Sequence, residues 1–242
     1  MLTDDQRRTL DEAGYVVLPG ILSEQECDLW SRTIDDVWEQ ERTRAHKYRE
    51  EPGVRFTDNL LRHSQLFEKC MSDPTVLDGV RAVLGQDIVL SLINARRSDP
   101  GYGNQALHDL KRERGVPFRW CNTMWCLDEF TSVNGATRVI PRSHMSGEPF
   151  LSRCEDSLLP HPDECFVEAP RGGVVIFNSH LIHGGSTNHT DTPRRCVHSS
   201  FARVGEQPYY DWNELPSAIQ SGLTPTSRQL LGLEANTVTG AT

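Results

Sequence analysis

The residues best suited to metal chemistry are the adjacent His108 and Asp109 and a second histidine, His183. Two imidazoles and one carboxylate on a β scaffold are the ligand set of ferrous centres that activate oxygen, because they leave coordination positions open for a cosubstrate and for oxygen. The pair follows a turn marked by glycine and proline at 99–103, so it is presented near a strand end. Alone it has low specificity, since the chain contains nine histidines.

The stretch around His183 adds a cation to this set. An apolar run at 174–177 predicts a strand that delivers His183 to a glycine-rich loop, and Arg194 and Arg195 follow the loop. An arginine in that place could hold a small carboxylate with two parallel N–H donors, a geometry that lysine does not offer. The alternative is that both arginines form surface ion pairs in an acidic protein.

The elements that must position these residues fall into two groups. Helices are predicted first, capped by Thr3, by Ser23 and by Asp73 with Pro74 behind it, and a further helix is expected over 60–71. From residue 88 onward the chain changes to short strands separated by turns, among them 119–128 and 136–140. This order predicts an α+β fold whose main body is an antiparallel sandwich or barrel.

Composition limits the classes of partner and compartment. The chain has 242 residues and a net charge of −9, which argues against a nucleic-acid partner because phosphate binding needs a basic surface. No apolar run is long enough for a membrane span, and the start is acidic rather than a basic-then-apolar leader, so we expect a cytoplasmic protein. The seven scattered cysteines contain no Cys-x-x-Cys, which argues against a disulfide framework or a zinc site.

Motifs spread over nearly the whole chain share one pattern. They are residues 2–23 (with GYVVLPGILS), 105–108 (QALH), 127–144 (with NGATRVIPRSH), 183–194 (from HGGSTN to the arginine) and the ending 223–232. Together they resemble the phytanoyl-CoA dioxygenase family of iron(II)- and 2-oxoglutarate-dependent oxygenases. The resemblance implies a double-stranded β-helix, or jelly-roll, core with N-terminal helices packed on it. We expect one domain over 1–242, with a helical part at about 1–86, the core at about 87–205 and a tail at 206–242.

The resemblance also implies site residues. His108 and His183 would bind Fe(2+), Arg194 would hold the distal carboxylate of 2-oxoglutarate, and O2 would be the oxidant. Gln105 and Thr137 match positions that help to bind the cosubstrate in relatives. His180 is the rival of His183, whose position fits the family better, and His144 is interpreted as structural.

The carboxylate departs from the family pattern. Relatives carry His-x-Asp, which places the ligand at 110, and this chain has Leu110 there and Asp109 beside His108. In one reading Asp109 still reaches the metal through irregular backbone, because neighbours on a regular strand face opposite ways. In a second the carboxylate is absent, as in related halogenases that leave its place to a halide, although Leu110 would crowd the ion. In a third reading the site binds metal poorly and the oxygenase chemistry is lost or changed.

The expected activity is oxidative decarboxylation of 2-oxoglutarate coupled to oxidation of a C–H bond in a small molecule, hydroxylation by default. A role in natural-product tailoring, like that of the bacterial members, is favoured by analogy. The alternative is a jelly-roll protein with a degenerate metal site that binds a small ligand. The oligomeric state is not readable from the sequence. We expect a lid around Phe150 and a substrate pocket formed by Arg96, Arg97, Trp120, Asn122 and Trp125, of which one tryptophan is expected in the core, since the two lie on opposite strand faces.

Overall fold

The structure, a computed structural model, describes residues 1–41, 51–110, 114–146 and 156–233. It is a mixed fold of helices and two antiparallel sheets, in agreement with the predicted α+β jelly roll. The helices are α1 (Asp4–Ala13), α2 (Glu24–Glu41), α3 (Lys69–Ser72), α4 (Pro74–Leu84), α5 (Ser217–Gly222) and α6 (Pro225–Leu230). The strands are β1 (Tyr15–Leu18), β2 (Val54–Thr57), β3 (Ile88–Ser98), β4 (Trp120–Cys126), β5 (Thr137–Val139), β6 (Cys165–Val167), β7 (Val174–Asn178), β8 (His183–Gly184) and β9 (Arg194–Arg203).

The strands form a large and a small sheet. The large sheet has the order β1-β7-β4-β9-β3-β2, and the small sheet has the order β6-β5-β8. Every strand pair within these sheets is antiparallel. The first four strands along the chain lie in the large sheet, and the chain then crosses between the sheets after β4, β6, β7 and β8. Two antiparallel sheets joined by such crossings are the architecture expected of a jelly roll.

One face of the large sheet is covered by the helices. Trp125 on β4 packs against Trp30 of α2, with ring centroids 5.7 Å apart, and Trp30 also contacts Phe67 at 5.2 Å. All three side chains are almost fully buried. This face carries the main hydrophobic core and fixes the helices on the sheet, so the opposite face is left to form a site.

The opposite face turns toward the small sheet, and its side chains alternate along each strand. Close to the small sheet it packs a second apolar cluster around Met124, Cys126 and Phe177. The pairing of β3 with β9 shifts between Leu90 and Leu92, so Ser91 is the extra residue of a β-bulge. Ser91 and Leu92 consequently both line the open cavity on this face, which a regular strand would not permit.

The predicted N-terminal caps are present. The Thr3 hydroxyl accepts the Gln6 N–H in a complete capping box, and Gly14 ends α1 with φ of 88°. Asp73 caps α4 by accepting from the N–H groups of Thr75 and Val76.

The prediction of one helix over 60–71 was wrong. That stretch holds two short 3-10 segments, Leu60–Arg62 and Gln65–Glu68, followed by the start of α3. The Ser64 hydroxyl accepts the Leu66 N–H, and this local hydrogen bond interrupts a continuous helix. Within the described part of the chain, no helix combines the length and the apolar character that a membrane crossing requires.

Candidate active site

The two predicted metal-binding histidines lie face to face. His108 and His183 form an antiparallel bridge in which each backbone N–H donates to the other's carbonyl at 2.9 Å. Their ring centroids are 4.4 Å apart, and the Phe177 ring packs edge-on against His183 at 5.0 Å. Residues distant in the chain are thus held together by the backbone, and both rings line one cavity.

Each imidazole is oriented by its own backbone. Nδ1 of His108 is 2.8 Å from the Ala106 carbonyl oxygen, and Nδ1 of His183 is 2.7 Å from that of Leu181. A carbonyl can only accept, so both Nδ1 atoms donate, and Nε2 is the nitrogen of each ring that can bind a metal in the neutral form. Burial, followed by the neighbouring His108, lowers the pKa of His183 to about 3. His183 is therefore a neutral imidazole at neutral pH, the form that binds metals.

The predicted carboxylate ligand is not placed with this pair. Asp109 is not among the residues that line the cavity, whereas Leu110 is, with 44% of its surface exposed. Across the described ranges, no group of three or more His, Cys, Asp or Glu side chains is placed to hold a metal ion. The Leu110 N–H donates to the Ser179 carbonyl at 3.1 Å, which keeps the backbone here in place. The ligand role of Asp109 stays a prediction for metal-binding measurements.

Arg194 is a buried cation that lines the cavity. It is 4% exposed, its Nη2 donates to the Ser98 hydroxyl at 3.1 Å, and its guanidinium lies 4.2 Å above the Phe130 ring. Its Nε is buried with no hydrogen-bond partner, and no carboxylate of the described residues pairs with it. Arg195, in contrast, forms outer ion pairs with Asp128 and Asp35. The surface-pair alternative therefore describes Arg195, and Arg194 is the cation available to a bound carboxylate.

Gln105 and Thr137 both line the cavity beside the histidines. The Gln105 side chain accepts the Gly185 N–H at 3.1 Å and donates to Glu51 at 3.1 Å. Glu51 also pairs with Arg96 at 2.6 Å, so Gln105 and Arg96 are joined through one carboxylate. Gly185 sits so close to the Gly103 carbonyl that a Cβ would collide with it. This close contact holds the loop after His183 against the stretch before His108.

The five predicted pocket residues divide by strand face. Arg96, Trp120 and Asn122 line the cavity. Arg97 and Trp125 do not line it. Arg97 points to the helical side, where it pairs with Asp99 and packs on the Trp38 ring.

Trp125 is in the core, where its Nε1 donates to Thr123, so the expectation that one of the two tryptophans is a core residue is confirmed. The expected lid around Phe150 lies outside the described residues.

Several cavity residues carry no sequence signal of their own. His198, Asn94, Ser91, Ser200 and Tyr209 all line the cavity. Burial, followed by the charges of Arg96 and Arg194, lowers the pKa of His198 to about 3. Only strand register brings these residues to the same face, and register is not visible in a motif.

The two other histidines in question are structural. Nδ1 of His180 lies 2.5 Å from the Leu110 carbonyl and its Nε2 accepts the Arg119 N–H at 3.3 Å. His144 is 3% exposed, with Nε2 3.0 Å from the Asp11 carbonyl. Neither lines the cavity of about 590 Å³ that contains His108 and His183.

The donor set fits a metal and a small dicarboxylate in part. Two neighbouring imidazole nitrogens suit a divalent first-row metal, and a guanidinium with no carboxylate partner among the described residues suits a bound carboxylate in the same cavity. The third, anionic ligand of the predicted set is missing from this geometry. His108, His183 and Arg194 are thus the residues that would hold iron and 2-oxoglutarate.

Comparison with known proteins agrees with this class of site. The family model described as phytanoyl-CoA dioxygenase (PhyH) matches residues 10–196. The chain belongs to this family, and with it to the class of iron(II)- and 2-oxoglutarate-dependent dioxygenases, whose cosubstrates are 2-oxoglutarate and O2. Two curated relatives are "Dioxygenase af480" of Aspergillus fumigatus and "Dioxygenase trt7" of Aspergillus terreus. The first is 27% identical over 95% of this chain and 77% of its own length, and the second is 26% identical over 92% and 81%.

Solved structures share the fold. HygX from Streptomyces hygroscopicus, with nickel, 2-oxoglutarate and hygromycin B bound, superposes with a TM-score of 0.70 at 20% identity, covering 90% of this chain and 94% of HygX. The epimerase SnoN, in complex with Fe3+, alpha ketoglutarate and nogalamycin RO, gives a TM-score of 0.68 at 13% identity, covering 85% and 86%. At these identities the likeness shows the jelly-roll fold.

Proposed function

We propose that this protein oxidises a C–H bond of a small molecule in a reaction coupled to decarboxylation of 2-oxoglutarate, with hydroxylation as the default outcome. One observation carries the proposal: the cavity holds two imidazoles with free Nε2 atoms and a buried arginine without a carboxylate partner among the described residues. This combination matches the two ligands that the reaction needs, a metal ion and a dicarboxylate.

The residues divide the work as follows. His108 and His183 hold the metal, and their Nδ1 hydrogen bonds to backbone carbonyls fix the ring orientation. Arg194 binds the distal carboxylate of 2-oxoglutarate in a site that excludes water. When bound, iron supplies the oxygen chemistry that no amino-acid side chain provides. Gln105 and Thr137 line the space proposed for the cosubstrate. Gln105 also accepts a hydrogen bond from the loop that follows His183.

The biological setting that we propose is the tailoring of a natural product. The structural neighbours support it, because hygromycin B and nogalamycin RO are the small molecules bound to HygX and SnoN. The cavity of about 590 Å³ is large enough for a molecule of several rings.

The direct test is iron-dependent release of succinate from 2-oxoglutarate by the purified protein. We expect release that requires both iron and O2, and its loss in His183→Ala. His180→Ala, at a histidine outside the cavity, is the matched control and should retain most of it. Absence of turnover together with absence of bound metal would overturn the proposal.

A second candidate function is a small-molecule-binding jelly roll whose metal site is degenerate. The observation that favours it is the missing third ligand. Metal titration of Asp109→Ala addresses the question: a large loss of iron affinity assigns Asp109 as a ligand, and unchanged affinity shows a centre held by the two histidines. A wild-type protein that binds no metal supports the degenerate site.

A further inference from the structure

The cavity has two ends of different chemistry, set by the register of three strands. Residues of β3, β9 and β4 that share a row face the cavity together. One row contains Arg96 and Cys196, the next contains Asn94, His198 and Met124, and the third contains Leu92, Ser200 and Asn122. Arg194 lies one row beyond Arg96, opposite Ser98. Charge is therefore concentrated at the end where 2-oxoglutarate is proposed to bind, and the other end is neutral.

The neutral end is enclosed by uncharged residues. Ser91 and Leu92 face it through the bulge in β3, and Trp120 and Tyr209 contribute aromatic rings. The Tyr209 N–H donates to the Ser91 hydroxyl at 2.9 Å, which holds the C-terminal segment over this end. No Asp or Glu of the described residues lines the cavity, and the two cations that do are Arg96 and Arg194. Arg96 is already paired with Glu51.

Among the uncharged side chains that line the cavity, two buried polar atoms lack a hydrogen-bond partner, Oδ1 of Asn94 and Oγ of Ser179. Asn94 is 8% exposed, and its Oδ1 is buried with no hydrogen bond. A buried amide oxygen without a donor costs stability, and such groups in native structures usually serve a ligand or water. Asn122 and Ser200 lie in the next row and line the same space. A substrate hydroxyl or N–H would satisfy Asn94, and Asn122 can both donate and accept.

Resting on the proposed function, we propose that the substrate is an uncharged, largely apolar molecule carrying hydroxyl or carbonyl groups, which Asn94, Asn122 and Ser200 bind at the neutral end. A cationic substrate would be desolvated without a counter-charge and would face Arg96 and Arg194. An anionic thioester substrate would find both arginines engaged, one by Glu51 and the other by 2-oxoglutarate. Leu92, Met124 and Trp120 supply apolar contact for the molecular body.

The experiment is calorimetric binding to the full chain, with and without nickel and 2-oxoglutarate, so that no turnover occurs. The neutral probes are testosterone, emodin and artemisinin. The charged probes are hygromycin B, a cation, and palmitoyl-CoA, an anion. We expect at least one neutral probe to bind about tenfold more tightly than either charged probe. Equal or tighter binding of a charged probe, or no binding of any neutral probe, overturns the proposal.

Substitutions test which residues bind the neutral probe. Asn94→Leu and Asn122→Leu should each weaken the bound neutral probe by about three- to tenfold, the loss of one neutral hydrogen bond. Asn122→Asp should weaken it further and improve hygromycin B binding. Gln25→Leu, an exposed amide on α2, is the matched control and should change nothing. If both leucine variants have the melting temperature of the wild type and bind the probe with unchanged affinity, neither asparagine contacts the substrate.

The outcome is separable from that of the proposed function. Iron-dependent succinate release without a preference for neutral probes would support the proposed enzyme function and contradict this substrate class. If neutral probes bind equally with and without metal and the protein does not decarboxylate 2-oxoglutarate, this substrate-class proposal is supported and the proposed enzyme function is contradicted.

Discussion

At the scale of single residues, the site depends on which side chains have partners and which do not. Adjacent arginines on β9 behave differently because consecutive strand residues face opposite ways. Arg195 forms ion pairs with Asp128 and Asp35 on the outside, whereas no carboxylate of the described residues pairs with Arg194. The Nε of each arginine is buried without a hydrogen-bond partner. The two residues therefore allow the arginine proposed to bind 2-oxoglutarate to be compared with its neighbour, which is held in ion pairs.

Arg194→Gln should weaken 2-oxoglutarate binding by about 10- to 100-fold, because hydrogen bonds to a charged group contribute about 1.5–3 kcal/mol. Calorimetric titration with nickel present measures this affinity directly. Arg195→Gln is the matched control and should leave it within about twofold. Equal losses in the two variants would contradict the assignment of Arg194 to the cosubstrate.

Sequence motifs indicated the candidate metal and cosubstrate residues. They did not indicate the residues that only strand register places on the cavity face. The spacing of histidines and arginine indicated His108, His183 and Arg194. Arg96 and Arg97 could not be distinguished, because the bulge at Ser91 shifts the alternation of β3 by one residue. His198 and Asn94 were missed because only the pairing register of β3 with β9 brings them to the cavity face.

At the scale of elements, one face of the large sheet packs against the helices in the hydrophobic core, and the other face borders the cavity. Trp125 and Trp120 lie on the same strand, and only Trp125 packs into the helical core. The opposite face, with Trp120, borders the cavity. Substitutions on β4 are therefore expected to have different consequences at alternate positions.

Trp125→Ala should lower the free energy of unfolding by about 3–5 kcal/mol, since it removes a large buried side chain and leaves a void beside Trp30. Trp120→Ala should cost less than half of that, because its ring borders open space. Urea denaturation followed by far-ultraviolet circular dichroism measures both. A larger loss for Trp120 would mean that the faces are assigned incorrectly.

The junction of α1 and β1 depends on one glycine. At Gly14, with φ of 88°, a Cβ would lie 2.6 Å from Nδ1 of His144 and 2.8 Å from Leu181. His144 and Leu181 both adjoin the segment that leads to His183. A left-handed backbone alone costs a non-glycine residue about 1–2 kcal/mol.

Gly14→Ala should therefore destabilise the protein by more than this backbone cost, and thermal melting measures the loss. Gly20→Ala is the control, because Gly20 also has a positive φ, 68°, but nothing lies within 4 Å of its Cβ position. The prediction fails if the two variants melt at the same temperature.

Elements with capping residues were predictable, and those defined by tertiary contacts were not. α1 and α4 carry their caps in the sequence and were found as expected. β2 (Val54–Thr57) is only four residues long, too short for its alternation to predict a strand, and it is held by pairing with the end of β3. Local propensity cannot report such pairing.

At the scale of the whole molecule, the interior holds two neutral histidines in an acidic protein. His183 and His198 both have pKa values lowered to about 3, mainly by burial. An unfolded chain has ordinary histidine pKa values near 6.5 and binds more protons between these limits. The free energy of unfolding therefore rises with pH in this window and falls as the pH drops below about 6.5.

Melting temperatures of the metal-free protein should accordingly decrease from pH 7 to pH 5.5. His198→Asn should flatten this decrease, since one of the two titrating groups is gone. Exposed His189→Asn is the control and should leave the slope unchanged. A slope that is the same in His198→Asn would exclude His198 as a source of the pH dependence.

The two-ended cavity has a consequence for how such a protein diversifies. Arg194 and Ser200 are separated by six residues of extended strand, or about 20 Å. Substitutions that far apart act almost additively. New substrate preferences can therefore accumulate at Leu92, Asn122 and Ser200 without any loss of 2-oxoglutarate affinity, so the same oxidising centre can be inherited unchanged by descendants that act on different molecules.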